Sequence, residues 1–415
     1  MMRLFPIRAN LAMMLISAIV FSSQLAVHAD EAKAPVLPKP FETPSVSKQP
    51  KVIGWPEGKM PTAPPGFEVT AFSREVVSPR WIEVLPNGDV LVAESNSERS
   101  RSPNRILLFR DADKDGVPEM REVLLQGLNQ PFGMALVGES LYVANTDAML
   151  KFPYKAGQTK IEAPGEKVLD LPAGGYNNHW TRSLKARPDG KALFVTVGSA
   201  TNVDVEGIDA KDPRRASILE FDIATGKARI FATGLRNPNG MDFAPGTDVL
   251  WTAVNERDEL GDELVPDYIT SVKDGAFYGW PYSYYGQNED PRQKGKRPDL
   301  VQKAIVPDLA VGAHTASLGL AFATGKEFPE KYRGGAFIGQ RGSWNRSQLS
   351  GYRVAFVPFQ NGKPSGPIED FLAGFIKNQN EVYGRPVGVT FAADGSLLVA
   401  DELGKRIWRV RATGR

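Results

Sequence analysis

The sequence predicts an all-β fold, a six-bladed β-propeller, from three observations. An apolar pair, a turn and an alternating apolar strand recur together six times. Pro-Asn-Gly, Pro-Asp-Gly and Ala-Asp-Gly turns join the strands, and glycine tolerates the positive φ of such hairpin turns. Convincing amphipathic helices are nearly absent. The six units fall at residues 84–95, 133–145, 185–199, 241–255, 318–339 and 389–402.

The spacing of these units favours a propeller over other all-β folds. Each unit with its connections takes roughly 60 residues, near the length of a kelch blade. Radial repetition leaves only short sheet edges open. The segments 67–73 and 405–412 would close the ring by sharing one blade. A β-helix or two β-sandwiches would also contain many strands, but the irregular spacing and long inserts fit them less well.

The first 29 residues are typical of a secretory signal peptide. Arg3 and Arg8 precede an apolar run at 11–21, and a small-residue cleavage site ends at Ala29. The run is too short to span a bilayer, although an uncleaved anchor is the alternative. The predicted location is therefore the periplasm, with no membrane span after cleavage.

The next segment, residues 30–62, is rich in Pro and Lys and has no sustained apolar period. We interpret it as an extended linker or a wrapping arm. Residues 63–415 then form the predicted propeller.

Composition excludes several classes of function. Removal of the signal peptide leaves 48 basic residues against 48 acidic ones, which argues against nucleic acid as a partner. The absence of cysteine excludes disulfides, iron–sulfur clusters and thiolate metal sites. The sequence also has no serine-hydrolase elbow, zinc-protease motif, phosphate-binding loop or dinucleotide fingerprint.

An acidic loop predicts a calcium site. It carries Asp111, Asp113, Asp115, Val117 and Glu122 at loop positions one, three, five, seven and twelve. Gly116 permits the sharp turn, and the match is to the D-x-D-x-D-G pattern with a glutamate at position twelve. The flanks resemble strands, so the loop would lie inside a hairpin with a structural role. A solvated acidic turn is the alternative.

Polar residues next to the repeated strands are candidates for chemistry, because propellers concentrate function at one end of the channel. His179 lies between two asparagines and a tryptophan, and is either an ordinary packed histidine or a base. Arg236 offers a planar fork of donors that suits carboxylates. Arg341, Arg346 and Arg385 also adjoin repeated strands. A channel end that carries several arginines suits an anionic cofactor or substrate.

The residues alone do not assign a role to His314 or to an acidic run. His314 is the second histidine outside the signal peptide. The acids of residues 256–263 are either metal ligands or a solvated surface.

Six collinear motifs resemble the glucose/sorbosone dehydrogenase family, and most closely its sorbosone dehydrogenases. They run from about residue 65 to the end: GYNNHWTRSL, GLRNPNGMDF, VNERDELGDELVPDY, DGAFYGWPYSYYG, YRGGAFIGQRGSWNR and GRPVGVTF. The resemblance implies a six-bladed propeller that binds pyrroloquinoline quinone (PQQ) and calcium at the channel mouth. It also implies oxidation of an aldose or a sorbosone-type sugar, with hydride transfer to the quinone.

The resemblance assigns roles to residues at the mouth. His179 would be the general base, and Arg236 would stabilise charge at the reacting carbonyl. Asn237 is the second member of the family's Arg-Asn pair. Cations for the cofactor carboxylates would come from the segments that hold Arg341, Trp344, Arg346 and Arg385. Backbone oxygens for the cofactor-bound calcium would come from Asn255, Glu256 and Arg257.

The sequence departs from the family at two positions. Ser199 stands where the soluble glucose dehydrogenases carry an acid, so the resemblance names no partner that orients His179. Glu256-Arg257 replaces the family's calcium-binding Gly-Pro. Because no haem-binding tail follows Arg415, we expect a separate electron acceptor, a cytochrome or the quinone pool.

Two other classes of function stay open. A calcium-dependent lactonase-like propeller would need a metal ring, to which Asn255 and the acids of 256–263 could contribute. A non-enzymatic binding propeller would keep the fold without the cofactor.

Overall fold

A computed structural model describes residues 1–2, 35–97 and 100–414. Residues 3–29 of the predicted signal peptide lie outside this range. The described part contains one short α-helix, α1 (Pro298–Lys303), and two 3₁₀ turns, Asp209–Lys211 and Glu330–Tyr332. No helix in it is both long and apolar enough to cross a membrane.

Almost all regular structure in the described residues is β-strand. The first strands are β1 (Lys51–Val52), β2 (Phe67–Ser73), β3 (Pro79–Val84), β4 (Val90–Glu94), β5 (Arg105–Arg110), β6 (Met120–Leu125), β7 (Met134–Val137), β8 (Ser140–Ala144), β9 (Ala148–Pro153) and β10 (Glu166–Asp170). The next are β11 (Leu184–Ala186), β12 (Ala192–Val197), β13 (Ser217–Asp222), β14 (Lys227–Thr233), β15 (Asn237–Phe243), β16 (Leu250–Asn255), β17 (Pro266–Ser271), β18 (Ser283–Tyr284), β19 (Asn288–Glu289) and β20 (Leu309–Ala313). The last are β21 (Ser317–Phe322), β22 (Ala336–Gln340), β23 (Arg353–Val357), β24 (Phe359–Gln360), β25 (Lys363–Pro364), β26 (Glu369–Leu372), β27 (Ile376–Asn378), β28 (Glu381–Val382), β29 (Pro386–Phe391), β30 (Leu397–Asp401) and β31 (Arg406–Ala412).

Most of these strands form four-stranded antiparallel sheets, of which the described chain has six. We number them sheet 1 (β3-β4-β5-β6), sheet 2 (β7-β8-β9-β10), sheet 3 (β11-β12-β13-β14), sheet 4 (β15-β16-β17-β20), sheet 5 (β21-β22-β23-β26) and sheet 6 (β29-β30-β31-β2). Each of the six predicted units falls on the first two strands of one sheet. In sheet 6 the early strand β2 pairs with the last strand β31, Phe67 opposite Ala412.

The apolar residues pack between neighbouring sheets, as in a β-propeller. Each of the six hydrophobic clusters among the described residues joins two adjacent sheets, and one joins sheet 6 to sheet 1. A central strand therefore buries both of its faces. In β12, for example, all residues from Ala192 to Val197 are buried. The first strands of successive sheets also contact one another.

Strand direction decides where the candidate residues meet. Because paired strands run antiparallel, the start of each first strand and the end of each second strand lie on one face, which we call the mouth. His179 precedes β11 and Ser199 follows β12, so both reach this face. The predicted glycine turns lie on the opposite, far face, where Gly88 and Gly190 have φ values of +90° and +70°.

Of the predicted linker or arm at 30–62, the structure describes residues 35–62, which we call the arm, and these contribute only β1 and an isolated bridge to the regular structure. Strand β1 pairs in parallel with β28. The arm therefore lies against the propeller and not apart from it.

Candidate active site

The loop before β11 holds the backbone of His179 in place through Arg182. This arginine is fully buried, and its Nη1 donates to the carbonyl oxygen of His179 at 2.8 Å. Its Nη2 donates to the carbonyl oxygen of Pro172 at 2.6 Å. Gly198 lies on the other side, where an added Cβ would come within 2.6 Å of the His179 Cβ. The position of His179 thus depends on the buried cation of Arg182 and on the absence of a side chain at Gly198.

The ring of His179 is oriented by Ser199, the residue that stands in place of the family's acid. Nδ1 lies 2.8 Å from the Ser199 carbonyl oxygen and 3.0 Å from its Oγ. A carbonyl oxygen only accepts, so Nδ1 carries the proton and Nε2 is left as the basic nitrogen. Burial and the charge of Arg236 lower the pKa of His179 to about 3. The imidazole is therefore neutral at neutral pH, with Nε2 unprotonated.

Arg236 is a buried cation with a fixed orientation. Its Nη2 lies 2.9 Å from Asp258 Oδ2, and its Nη1 donates to the Glu256 carbonyl oxygen at 2.7 Å. Asn202 Oδ1 accepts a further bond from Nη2 at 2.9 Å. Burial opposes ionisation of Asp258, but the Arg236 charge and the contact with His314 together outweigh it and hold the pKa of that carboxyl below its ordinary range. The sequence reasoning missed the role of Asp258.

Two asparagines line the same part of the mouth. Asn237 and Asn255 are paired across β15 and β16, with Nδ2 of Asn237 3.4 Å from Oδ1 of Asn255. Asn255 Nδ2 donates to the Ser317 carbonyl oxygen at 2.6 Å. The Oδ1 of Asn237 is buried and has no hydrogen-bond partner within the described residues. Such an orphaned buried acceptor favours a bound group at this position.

A second cationic cluster forms around Glu402. The carboxylate lies 2.7 Å from Arg80 Nη1 and 2.5 Å from Arg341 Nε, and its side chain is fully buried. Burial alone would raise the pKa of Glu402, but Arg341 and Arg80 hold it below the ordinary range. Arg385 is also buried, and its Nη2 donates to the Tyr352 hydroxyl at 2.5 Å.

The sequence predicted Arg341 and Arg385 in this cluster but missed Arg80 and Glu402. Arg80 is the second residue of β3, and Arg236 and Arg385 each directly precede the first strand of their sheets. An arginine at the start of a repeated strand was therefore a usable signal. The Arg80 guanidinium also lies 5.0 Å from the Trp180 ring centroid, beside His179.

The contacts of Arg346 and Trp344 are with residues other than Glu402. Arg346 Nη1 lies 2.7 Å from Glu263 Oε2 and donates to the Asp262 carbonyl oxygen at 2.7 Å. The Trp344 carbonyl oxygen accepts a bond from the Lys48 amide at 2.7 Å. Arg346 therefore holds the loop of Asp262 and Glu263, and Trp344 holds the arm at Lys48.

His314 is buried behind Asp258. Its Nε2 lies 3.1 Å from the Gly261 carbonyl oxygen, and its Nδ1 lies 3.5 Å from Asp258 Oδ1. Burial would lower the pKa of His314, but the contact with Asp258 outweighs it and raises the pKa. The two histidines therefore have opposite environments, one that excludes a proton and one that retains it.

The predicted calcium loop lies on the far face, between β5 and β6. Four carboxylates have oxygens within 4.8 Å of one another: Asp111, Asp113, Asp115 and Glu119. The predicted ligand Glu122 is not in this group, because it lies on β6 opposite Leu108. The Val117 amide donates to Asp115 at 2.7 Å. No second group of three or more His, Asp or Glu side chains this tight occurs in the described residues.

The predicted cofactor calcium site at Glu256 and Arg257 differs from the expectation. Arg236 Nη1 donates a hydrogen bond to the Glu256 carbonyl oxygen at 2.7 Å and a longer one to the Asn255 carbonyl oxygen at 3.4 Å. Arg257 forms a buried ion pair with Asp290 at 2.9 Å. A guanidinium stands where the resemblance places a metal ion, so these residues do not fit calcium.

Comparison with known proteins identifies the family of this chain. The family model described as TrAA12-like matches residues 61–271 and 298–413. The pyrroloquinoline quinone-dependent pyranose dehydrogenase of Coprinopsis cinerea is 25% identical over 398 residues, covering 80% of this chain and 52% of that protein. The chain therefore spans about half the length of this relative.

Two solved structures share the fold. The holo form of the PQQ domain of the Coprinopsis cinerea pyranose dehydrogenase gives a TM-score of 0.70 at 20% identity, over 87% of this chain and 99% of that one. The iodide structure of the Trichoderma reesei family AA12 enzyme gives a TM-score of 0.73 at 19% identity, over 88% and 100%.

Proposed function

The chain belongs to the TrAA12-like family, and on this premise we propose that it is a PQQ-dependent oxidoreductase that oxidises sugars. The observation that carries the proposal is the pair of His179 and Arg236 at the mouth. The neutral base His179, whose Nε2 is unprotonated and lies 3.5 Å from the Asn178 side-chain amide, stands beside a fixed, buried guanidinium. We take an aldose or a sorbosone-type sugar as the substrate, and a special closeness to the sorbosone dehydrogenases stays a prediction.

The residues at the mouth fit an anionic cofactor. PQQ is a tricarboxylate, and three guanidiniums, those of Arg80, Arg341 and Arg385, gather near Glu402 at this part of the mouth. Arginine suits this task because its planar fork binds carboxylates through two bonds. We assign Arg385, Arg341 and Arg80 to the cofactor carboxylates.

Asn237 and Arg236 complete the proposed cofactor site. The orphaned Oδ1 of Asn237 would gain a partner, and Arg236 would face the reacting carbonyl.

His179 and Arg236 have different roles in the proposed reaction. When bound, PQQ would supply the quinone carbon that accepts the hydride from the sugar. His179 Nε2 takes the proton of the sugar hydroxyl, while Nδ1–H stays bonded to Ser199. Arg236 stabilises the negative charge that develops beside it, because its contacts with Asp258 and Asn202 hold it in place before the reaction begins.

We further propose calcium in the acidic loop and not at the cofactor. The loop offers four convergent carboxylates on the far face, so the ion would stabilise the β5–β6 hairpin without entering the reaction.

The fold and location are proposed in the same way. The chain of contacts between first strands and the apolar cluster between sheets 6 and 1 support a closed six-bladed ring. The predicted signal peptide supports a periplasmic enzyme with a separate electron acceptor.

A titration with PQQ tests the proposed function. The wild-type protein should bind PQQ, seen by absorbance, and should then reduce an artificial dye with an aldose or sorbosone. His179→Asn should bind PQQ with unchanged affinity and lose turnover by about 10²- to 10⁴-fold, the usual contribution of a general base. Failure of the wild-type protein to bind PQQ would overturn the proposal. Binding with no dependence of turnover on His179 would leave a PQQ protein with a different base.

A further inference from the structure

The arm contacts three separate segments that connect strands at the mouth. In each contact a backbone amide of the arm donates a hydrogen bond to a backbone carbonyl oxygen: Phe41 to Leu260 at 2.6 Å, Lys48 to Trp344 at 2.7 Å and Ile53 to Val382 at 2.9 Å. An arm that served only as a linker would not need these contacts.

Trp55 is a buried residue of the arm. Its ring packs against Phe375, Tyr383 and Trp408, with ring centroids 5.3, 5.1 and 5.1 Å apart. Its Nε1 donates to Asp401 Oδ2 at 2.6 Å, and both residues are buried. Buried hydrogen bonds to a carboxylate are among the strong ones in proteins.

Asp401 is held by four donors and in turn fixes the backbone around it. Besides Trp55, it accepts from Trp408 Nε1 at 3.1 Å and from the amides of Arg385 and Gly404 at 2.6 and 3.0 Å. An added Cβ at Gly404 would lie 2.1 Å from the carboxylate, so the loop closes tightly on it. The bond from the Arg385 amide ties the Arg385 backbone to this carboxylate, and the other three bonds hold the carboxylate in place.

The next residue, Glu402, connects Asp401 to the remaining cations. Its amide donates to the Arg385 carbonyl oxygen at 3.0 Å, and its carboxylate holds Arg80 and Arg341. Three arginines at the mouth are therefore positioned from one short backbone segment, and that segment is fastened to the arm.

A second anchor lies across the mouth. Thr43 Oγ1 accepts from the Asp262 amide at 2.9 Å, and an added Cβ at Gly261 would meet Thr43 at 2.9 Å. The same loop carries Asp258, the partner of Arg236.

We propose that the arm is an integral part of the cofactor site, with Trp55 as a positioning residue that acts through Asp401 on Arg385 and Glu402. This inference rests on the proposed function, since the ligand is the anionic cofactor. Docking of the arm and binding of that cofactor are then coupled, and thermodynamic coupling is reciprocal.

The experiment compares Trp55→Phe with Trp251→Phe. Both exchange a buried tryptophan for a smaller ring, but the Trp251 Nε1 has no hydrogen-bond partner within the described residues. Trp55→Phe should weaken PQQ binding about tenfold, the equivalent of about 1.4 kcal/mol, while Trp251→Phe changes it less than twofold. Equal affinities in the two variants would overturn the positioning role.

Limited trypsin digestion of the wild-type protein gives a second readout that needs no variant. Saturating PQQ should slow cleavage after the exposed arm residues Lys51 and Lys59, because docking protects them. Cleavage at an unchanged rate, in a protein that binds PQQ, would overturn the coupling. Absence of PQQ binding by the wild-type protein would instead overturn the proposed function, and this inference with it.

Discussion

The protonation of His179 offers the sharpest test of the site, and the perturbation is pH alone. Burial and Arg236 lower its pKa to about 3, whereas an ordinary histidine titrates near 6.5. At pH 5 a pKa of 3 leaves about 1% of the imidazole protonated, while a pKa of 6.5 would protonate about 97%. His314 shifts in the opposite direction because Asp258 raises its pKa.

Nuclear magnetic resonance of the histidine rings measures both groups at once. The chain has three histidines and His28 lies in the predicted signal peptide, so the processed protein should give two Cε1–H signals. We expect the His179 signal to stay at its neutral position from pH 8 to pH 5, and the His314 signal to titrate above pH 6.5. His179→Asn assigns the signals. Two midpoints near 6.5 would refute the environments that the structure gives these rings.

The same shift has a consequence for stability, with a definite sign. Between about pH 6.5 and pH 3 the unfolded state binds a proton at residue 179 that the folded state does not. Acidification therefore lowers the free energy of unfolding, by at most about 1.4 kcal/mol per pH unit from this group. His179→Asn should make the dependence on pH shallower in urea denaturation, and an unchanged slope would contradict the assignment.

Two further predictions concern the charges around the sheets. Glu402→Gln leaves Arg80 and Arg341 without their shared buried carboxylate and should lower the free energy of unfolding by about 3–5 kcal/mol in urea denaturation. Asp189→Asn, at an exposed ion pair on the far face, is the control and should cost no more than about 1 kcal/mol; similar losses would contradict a buried network. Asp113→Ala should lower the melting temperature in calcium buffer but not in chelator, with unchanged PQQ affinity, and equal losses in both buffers would exclude a metal at this loop.

Local sequence patterns were sufficient for the strands and for part of the site. The alternation of apolar residues and the Gly turns placed the first hairpin of every sheet, because side chains of a strand alternate between its two faces. His179 and Arg236 were found for a related reason, since each lies just before a repeated strand and therefore at the mouth.

The calcium loop shows where a local pattern falls short. The spacing named Glu122 as the last ligand, but strand pairing begins at Met120 and carries Glu122 away on β6. Glu119, still in the turn, lies in the group instead. The hydrogen bonds of the hairpin decided this, and the spacing of acids along the chain does not contain them.

By itself the sequence predicted the repeating sheets and named His179 and a group of arginines as candidates for the mouth. Only the tertiary structure decided which residues hold those groups: Ser199 for His179, Asp258 for Arg236 and Glu402 for the other arginines. It also brought Trp55 of the arm onto Asp401 near the end of the chain. The physical reason is that a propeller gathers loop ends from different sheets around one channel. Partners there are set by radial packing and are far apart along the chain.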